Sequence, residues 1–205
     1  MNATDILPAA WTENMILVDA EYVDRVAFDL IVNFERMIGR RIPAADLARW
    51  IDCVALDGGM KPAAEGEAST TATTVVMVHD VKSPGLENFR PSAFEGEISG
   101  KAFSDNLGEF SFIAVSHEGL STKAEMIADI AEMASMQKEV RRLMIVADAD
   151  DPSAIDLLRN RLRNADDEKR ITLFAMQPVA GGNFRQEILG YSLMNALGIR
   201  ADEIK

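Results

Sequence analysis

The sequence predicts an α/β fold, a three-layer sandwich whose mostly parallel sheet has five or more strands. Two observations predict this class. Five short apolar runs are continuous rather than alternating, which is typical of strands covered on both faces. Segments with apolar residues at every third or fourth position, the pattern of amphipathic helices, separate most of these runs. Because the chain has 205 residues, 48% of them apolar, we expect one domain spanning residues 1–205.

The N-terminal half predicts two strands with two helices between them. The strands are the apolar runs at 15–18 and 74–78, the second of which is rich in β-branched residues. The helices are predicted at 23–38 and 43–57, because apolar residues recur there with helical spacing. Both helices are followed by glycine, and the second opens at a proline, as helices often do.

The C-terminal half predicts three further strands, each followed by a helix. The helix starts are marked by Ser121 with Glu125 nearby and by Pro152, and Gly198 ends the last helix. The predicted elements are a strand at 110–115, a helix at 121–136, a strand at 143–146, a helix at 152–162, a strand at 171–175 and a helix at 184–197.

The segment at about 82–108 forms an irregular insertion in this pattern. It contains prolines, glycines and scattered phenylalanines without a sustained period. A stretch of this length inside a domain is usually a functional or partner-binding loop, but a hairpin with a weak pattern fits equally well. Both interpretations stay open at this point.

Composition excludes several functional classes. The chain has 21 Lys and Arg against 33 Asp and Glu, a net charge of −12, which disfavours non-specific binding to nucleic acid or anionic membranes. One cysteine, Cys53, and two histidines exclude an internal disulfide framework and a Cys/His zinc cage. No apolar run approaches the ~20 residues that span a bilayer, and residues 1–10 lack a signal-peptide pattern. We therefore expect a cytoplasmic protein without a membrane segment.

Acidic residues follow three of the predicted strands. They are Asp19, Asp80 and the aspartates within 148–151. Because parallel strands end at the same edge of a sheet, these carboxylates are expected to converge where such folds bind ligands. A divalent cation such as Mg²⁺ or Mn²⁺ would neutralise them through oxygen ligands. The alternative is that each aspartate only caps the helix that follows it.

Two of these acidic motifs resemble those of the NYN branch of the PIN-like nucleases. In that family the first strand ends in Asp-x-x-Asn, a later strand ends in Ser-Gly-Asp-Ser-Asp, and the helix between them contributes another aspartate. Here residues 19–22 read Asp-Ala-Glu-Tyr, residues 146–150 read Val-Ala-Asp-Ala-Asp, and the intervening helix contains Asp129. The order of the motifs is the same. Tyr22 stands where the family has asparagine.

The resemblance implies a fold, a site and an activity. The fold is a PIN/NYN-like sandwich, and the metal-binding and catalytic residues are Asp19, Asp129, Asp148 and Asp150. The implied cofactor is Mg²⁺ or Mn²⁺, and the implied reaction is hydrolysis of a phosphodiester bond, usually of RNA, by a metal-activated water.

A non-enzymatic function is the alternative. Such a domain keeps the α/β core but has lost its catalytic residues, and it serves as a binding or scaffolding protein. The phenylalanines of the 82–108 segment and the final helix, with Tyr191 and Met194, could then form a self-association surface of a homo-oligomer. Ordinary core packing also accounts for these residues.

Overall fold

A seven-stranded sheet forms the centre of the computed structural model, which describes residues 11–64, 66–119 and 121–204. The strands are β1 (Asn14–Asp19), β2 (Ala45–Asp46), β3 (Ala72–Asp80), β4 (Phe89–Arg90), β5 (Ala102–Asp105), β6 (Gly108–His117), β7 (Arg142–Val146), β8 (Arg170–Ala175) and β9 (Arg185–Ile188). The helices are α1 (Ala20–Ile38), α2 (Leu47–Asp57), α3 (Lys123–Met136), α4 (Pro152–Arg161) and α5 (Leu189–Ala196). Residues 1–10, where the sequence predicts no targeting signal, lie outside the described residues.

The strand order of the sheet is β5-β6-β3-β1-β7-β8-β9, and β2 pairs separately with β4. Only the β5–β6 pair of the large sheet is antiparallel. From β1 the chain adds β3 and β6 on one side, then crosses over to add β7, β8 and β9 on the other. The carboxyl ends of β1 and β7 therefore flank the point where the strand order reverses, which is where open parallel sheets bind ligands.

Both faces of the sheet are covered by helices. Ile16 and Val18 of β1 belong to the core formed with α1, α2 and α5, whereas Met15 and Leu17 belong to the core formed with α3 and α4. This explains why the apolar runs are continuous, since neighbouring residues of a strand point to opposite faces. The predicted α/β class with a mostly parallel sheet is confirmed. No helix in the described ranges is long and apolar enough to cross a membrane.

The helix ends follow the predicted signals with small shifts. Gly39 ends α1 in the left-handed conformation, with a φ of 69°, which glycine adopts without strain. Thr122 rather than Ser121 caps α3, and it forms a capping box with Glu125. The second helix begins at Leu47, four residues later than predicted, because the side chain of Asp46 provides its N-terminal cap.

The segment at 82–108 is partly regular. It contains β4, an irregular helical turn at Phe94–Ile98 and β5. β5 forms an antiparallel hairpin with β6, so the hairpin interpretation is confirmed for the end of the segment. The part at 83–94 packs beside the start of α1.

The predicted helix at 184–197 is wrong in its first part. Residues Arg185–Ile188 form the edge strand β9, and the helix begins only at Leu189. All four residues of β9 are exposed and three of them are polar, so the strand lacks the continuous apolar run that marks the buried strands.

Candidate functional site

Strand β1 brings Asp19 to the carboxyl edge of the sheet, where α1 begins. Oδ1 of Asp19 accepts a hydrogen bond from the backbone amide of Tyr22 at 3.0 Å. A carboxylate at this position satisfies an unpaired helix amide and interacts favourably with the helix dipole. Asp19 is only 4% exposed. It therefore caps α1, as the alternative interpretation of the aspartates predicts, and its charge also needs a partner.

Lys123, the first residue of α3, supplies that partner. Its Nζ lies 2.7 Å from Oδ1 of Asp19 and 2.6 Å from Oε2 of Glu21. The lysine side chain is 18% exposed. Burial acts to lower the pKa of Lys123, but the two carboxylates outweigh it and raise the pKa above its ordinary value. The lysine is therefore a stably charged ammonium between two acids.

The two carboxylates respond differently to this environment. Burial raises the pKa of Asp19 above its ordinary value, although Lys123 acts in the opposite direction. Burial also acts to raise the pKa of Glu21, but the hydrogen bonds from Lys123 and from the amide of Asp80, at 3.0 Å, outweigh it and lower the pKa. Asp19 is therefore the carboxylate whose ionised form burial still disfavours in the presence of the lysine.

Asp80, at the end of β3, extends this cluster toward β6. Its Oδ2 lies 4.0 Å from Nζ of Lys123, and its Oδ1 lies 3.7 Å from Nδ1 of His117. Acids from the ends of two neighbouring strands and from the first turn of α1 thus surround one lysine. We call Asp19, Glu21, Asp80 and Lys123 the Lys123 cluster.

Asp148 and Asp150 follow β7 and meet a different cation. Nη2 of Arg25, on α1, lies 3.1 Å from Oδ2 of Asp148 and 3.5 Å from Oδ2 of Asp150. The side chains of Arg25 and Asp150 are 52% and 61% exposed. Water therefore screens these ion pairs more strongly than those of Lys123.

Tyr22 lies beneath the Asp148 and Asp150 loop. It is 1% exposed. Burial, followed by the charges of Asp150 and Asp148, raises the pKa of Tyr22 to about 12. The phenol therefore stays protonated at neutral pH, at the position where the NYN motif has asparagine.

Asp129 lies apart from the other predicted site residues. Its carboxylate pairs with Nη2 of Arg161 on α4 at 2.7 Å, and its side chain is 44% exposed. Because a helix rises 1.5 Å per residue, Asp129 is about 9 Å along α3 from Lys123. It takes part in a surface ion pair between α3 and α4.

These positions test whether the residues fit a magnesium or manganese ion. Asp148 and Asp150 both pair with Arg25, whereas Asp19 pairs with Lys123. Asp129 lies farther along α3 and pairs with Arg161. In the part of the chain that the structure describes, no group of three or more His, Cys, Asp or Glu side chains is arranged to hold a metal ion. As arranged, the four predicted ligands do not fit a single metal site. The Mg²⁺ or Mn²⁺ site therefore stays a prediction that requires a rearrangement.

A groove of about 790 Å³ opens beside the Lys123 cluster, between the start of α1 and residues 83–94. Its lining combines arginine side chains, Arg25 and Arg90, with aromatic rings, Phe28 and Phe94. Phe28 is 53% exposed, which is unusual for a large apolar side chain. The groove thus offers both charged and apolar contacts.

Asp24 fixes the loop that forms the outer wall of this groove. Its carboxylate accepts hydrogen bonds from the backbone amides of Glu87, at 3.2 Å, and Asn88, at 2.8 Å. The side-chain amide of Asn88 also donates to this carboxylate, at 3.1 Å. These hydrogen bonds therefore connect the start of the 82–108 segment to α1.

Sequence reasoning missed both cations of the site. One feature of the sequence points to Lys123: it occupies the first turn of a predicted helix. A positive charge there is unfavourable to the helix dipole and usually needs an acidic partner. Glu21 lies only two residues after Asp19, on the same helix turn. Arg25 had no such signal, because an arginine on the polar side of an amphipathic helix is ordinary.

Comparisons with known proteins give a family but no activity. A model for a family of unknown function (DUF6621) matches residues 8–204. Neither the curated proteins nor the solved structures contain a significant match.

Proposed function

The chain belongs to the family of unknown function DUF6621, and we propose that it is a non-catalytic α/β binding or scaffolding domain. In this proposal the domain has the layout of PIN-like NYN nucleases, but lysine and arginine side chains neutralise its acidic edge in place of a divalent metal ion. The ligand site is the groove beside that edge.

The position of Lys123 carries the proposal. A metal-dependent phosphodiesterase needs carboxylate oxygens that are free to coordinate an ion. Here one ammonium group lies within 2.7 Å of both Asp19 and Glu21. A metal ion would have to displace a charged lysine that is largely buried and hydrogen-bonded to two acids. The cation built into the fold thus performs the neutralising role of the ion.

The groove supports a binding role better than an RNA-cleaving one. Its lining contains the acids Glu21, Asp24 and Glu87 as well as the two arginines. A phosphate backbone is attracted by a clear excess of positive charge, which this lining does not provide. The groove lies beyond the carboxyl ends of β1 and β3, and this edge of the sheet is typical of ligand sites in open α/β folds.

A divalent-metal-dependent phosphodiesterase acting on RNA is the second candidate. The observation that favours it is the neighbouring position of β1 and β7, since Val18 pairs with Val146, and Asp19 and Asp148 follow these residues by one and two positions. This function requires Lys123 and Arg25 to release Asp19, Asp148 and Asp150.

An RNA cleavage assay separates the two candidates. Native protein, Asp148→Asn and the control Asp156→Asn are incubated with labelled single-stranded RNA and millimolar Mn²⁺ or Mg²⁺. Asp156 is a suitable control because, within the described part of the chain, its one ion pair is with Arg159 on the surface of α4. We expect no cleavage above the buffer level in any sample. Metal-dependent cleavage by the native protein and by Asp156→Asn that is lost in Asp148→Asn would contradict the proposal.

A further inference from the structure

Strand β9 forms an open edge of the sheet. It pairs with β8 on one side, and in the ranges that the structure describes no strand pairs with its other side. All four of its side chains are exposed. An edge strand with free backbone groups can accept a strand from another chain. The side-chain amide of Gln186 exchanges two hydrogen bonds with the backbone of Val179, which connect the strand to the loop before it.

The sequence of β9 is complementary to itself in the antiparallel direction. Its residues read Arg-Gln-Glu-Ile. If two copies pair about a twofold axis at Gln186, Arg185 of each copy lies directly opposite Glu187 of the other. Opposite charges at facing positions of an antiparallel pair stabilise it, and like charges destabilise it. This register places two ion pairs symmetrically about the axis.

The charges at this edge lack ion-pair partners among the residues of known position. Neither Arg185 nor Glu187 forms an ion pair with the residues that the structure describes. Glu187 also lies close enough to Asp57, at the end of α2, to help raise the pKa of that carboxyl, after the larger effect of burial. An arginine from a second copy would relieve this repulsion between two acids.

Exposed apolar side chains flank the same edge. Ile188, the last residue of β9, is 37% exposed, and Tyr191, in the first turn of α5, is 71% exposed. Aromatic residues are enriched at protein interfaces because they bury a large area with few rotatable bonds.

We propose that β9 is the dimer interface of this protein and that its occupant is β9 of a second copy of the chain. The two strands pair antiparallel about Gln186, with Arg185 facing Glu187 across the twofold axis, so that the sheet continues through both subunits. This proposal depends on β9 alone and is independent of the function of the acidic edge.

Charge reversal tests the interface. In Arg185→Glu the facing positions carry acids only, and in Glu187→Arg they carry arginines only, so we expect both variants to be monomers. An equimolar mixture of the two restores opposite charges at both facing positions and should form a heterodimer. The double variant Arg185→Glu with Glu187→Arg should form a homodimer again.

Sedimentation velocity over a range of concentrations measures these states, and circular dichroism checks that each variant is folded. We expect a dimer for the native protein, monomers for the separate variants and a dimer for their mixture. A native protein that stays monomeric overturns the proposal, and so do single variants that dimerise as well as the native chain. A mixture that remains monomeric also overturns it, because the complementary charges are then not facing each other.

Discussion

Replacing Lys123 with methionine removes the ammonium group but keeps a side chain of similar length. The change leaves Asp19, which is 4% exposed, as a buried carboxylate without its cation. Removing one member of a buried ion pair costs about 3–5 kcal/mol. The amide of Tyr22 still donates to Asp19, and the site borders solvent, so we expect the lower value, about 3 kcal/mol of unfolding free energy.

The cost should depend on pH in a defined direction. The pKa of Asp19 is already raised by burial, and losing Lys123 raises it further, since the lysine acts to lower it. A carboxyl whose pKa is higher in the folded state stabilises the protein when it is protonated, and this contribution is lost as the pH rises through the folded pKa. The loss of unfolding free energy in Lys123→Met, relative to the native protein, should therefore be smaller at about pH 4 than at about pH 8.

Urea unfolding followed by circular dichroism at both pH values measures this difference. Lys123→Arg, which keeps the positive charge, should recover most of the lost stability. The control is Lys101→Met, because Lys101 is exposed and forms no ion pair with the described residues. It should change stability by less than about 0.5 kcal/mol. If Lys123→Met is as stable as this control at the higher pH, Lys123 does not neutralise Asp19.

Three further predictions use other parts of the fold. Burial and the neighbouring Asp105 raise the pKa of Asp52 to about 7, so this carboxyl stabilises the fold while protonated and loses that effect as the pH rises through neutrality. In urea unfolding, Asp52→Asn should flatten the stability profile between about pH 5 and about pH 8, and an unchanged slope would contradict this assignment. A Cβ at Gly85 would lie 2.4 Å from a backbone oxygen, whereas one at Gly181 meets nothing within 4 Å. Thermal unfolding should therefore show a loss of about 2 kcal/mol for Gly85→Ala and almost none for Gly181→Ala, and equal effects would refute the steric argument. Arg25→Met removes the ion pairs of a half-exposed arginine and its contact with the Tyr22 ring, whose centroid lies 5.4 Å away, so urea unfolding should show a loss below about 1 kcal/mol, and a loss as large as that of Lys123→Met would contradict the screening argument.

The central strands could be predicted from the sequence, because a strand that is covered on both faces of the sheet is a continuous run of apolar residues. Continuous apolar runs located β1, β3, β6, β7 and β8. β9 could not be recognised in this way, since an edge strand with exposed side chains has the composition of a polar helix or loop. The short strand β5 could not be predicted either, because most of its side chains are also exposed.

The acids of the site could be anticipated, but their partners could not. Asp19 and Asp80 end β1 and β3, and Asp148 follows the end of β7 by two residues. Parallel strands end at the same edge of a sheet, so the sequence alone predicts that these acids lie near one another. The cation of the cluster comes from Lys123, 102 positions from Glu21, and its contact depends on how α3 packs. Motif order alone also could not show that Asp129 pairs with α4.

Titration calorimetry with Mn²⁺ measures whether Lys123 takes the place of a metal ion at the acidic edge. The native protein should show no saturable binding at millimolar metal. Lys123→Met, once shown to be folded, should gain a Mn²⁺ site, because the freed carboxylates of Asp19 and Glu21 then need a cation. A stoichiometric Mn²⁺ site in the native protein that disappears in Asp148→Asn would contradict the account and favour the metal-dependent nuclease.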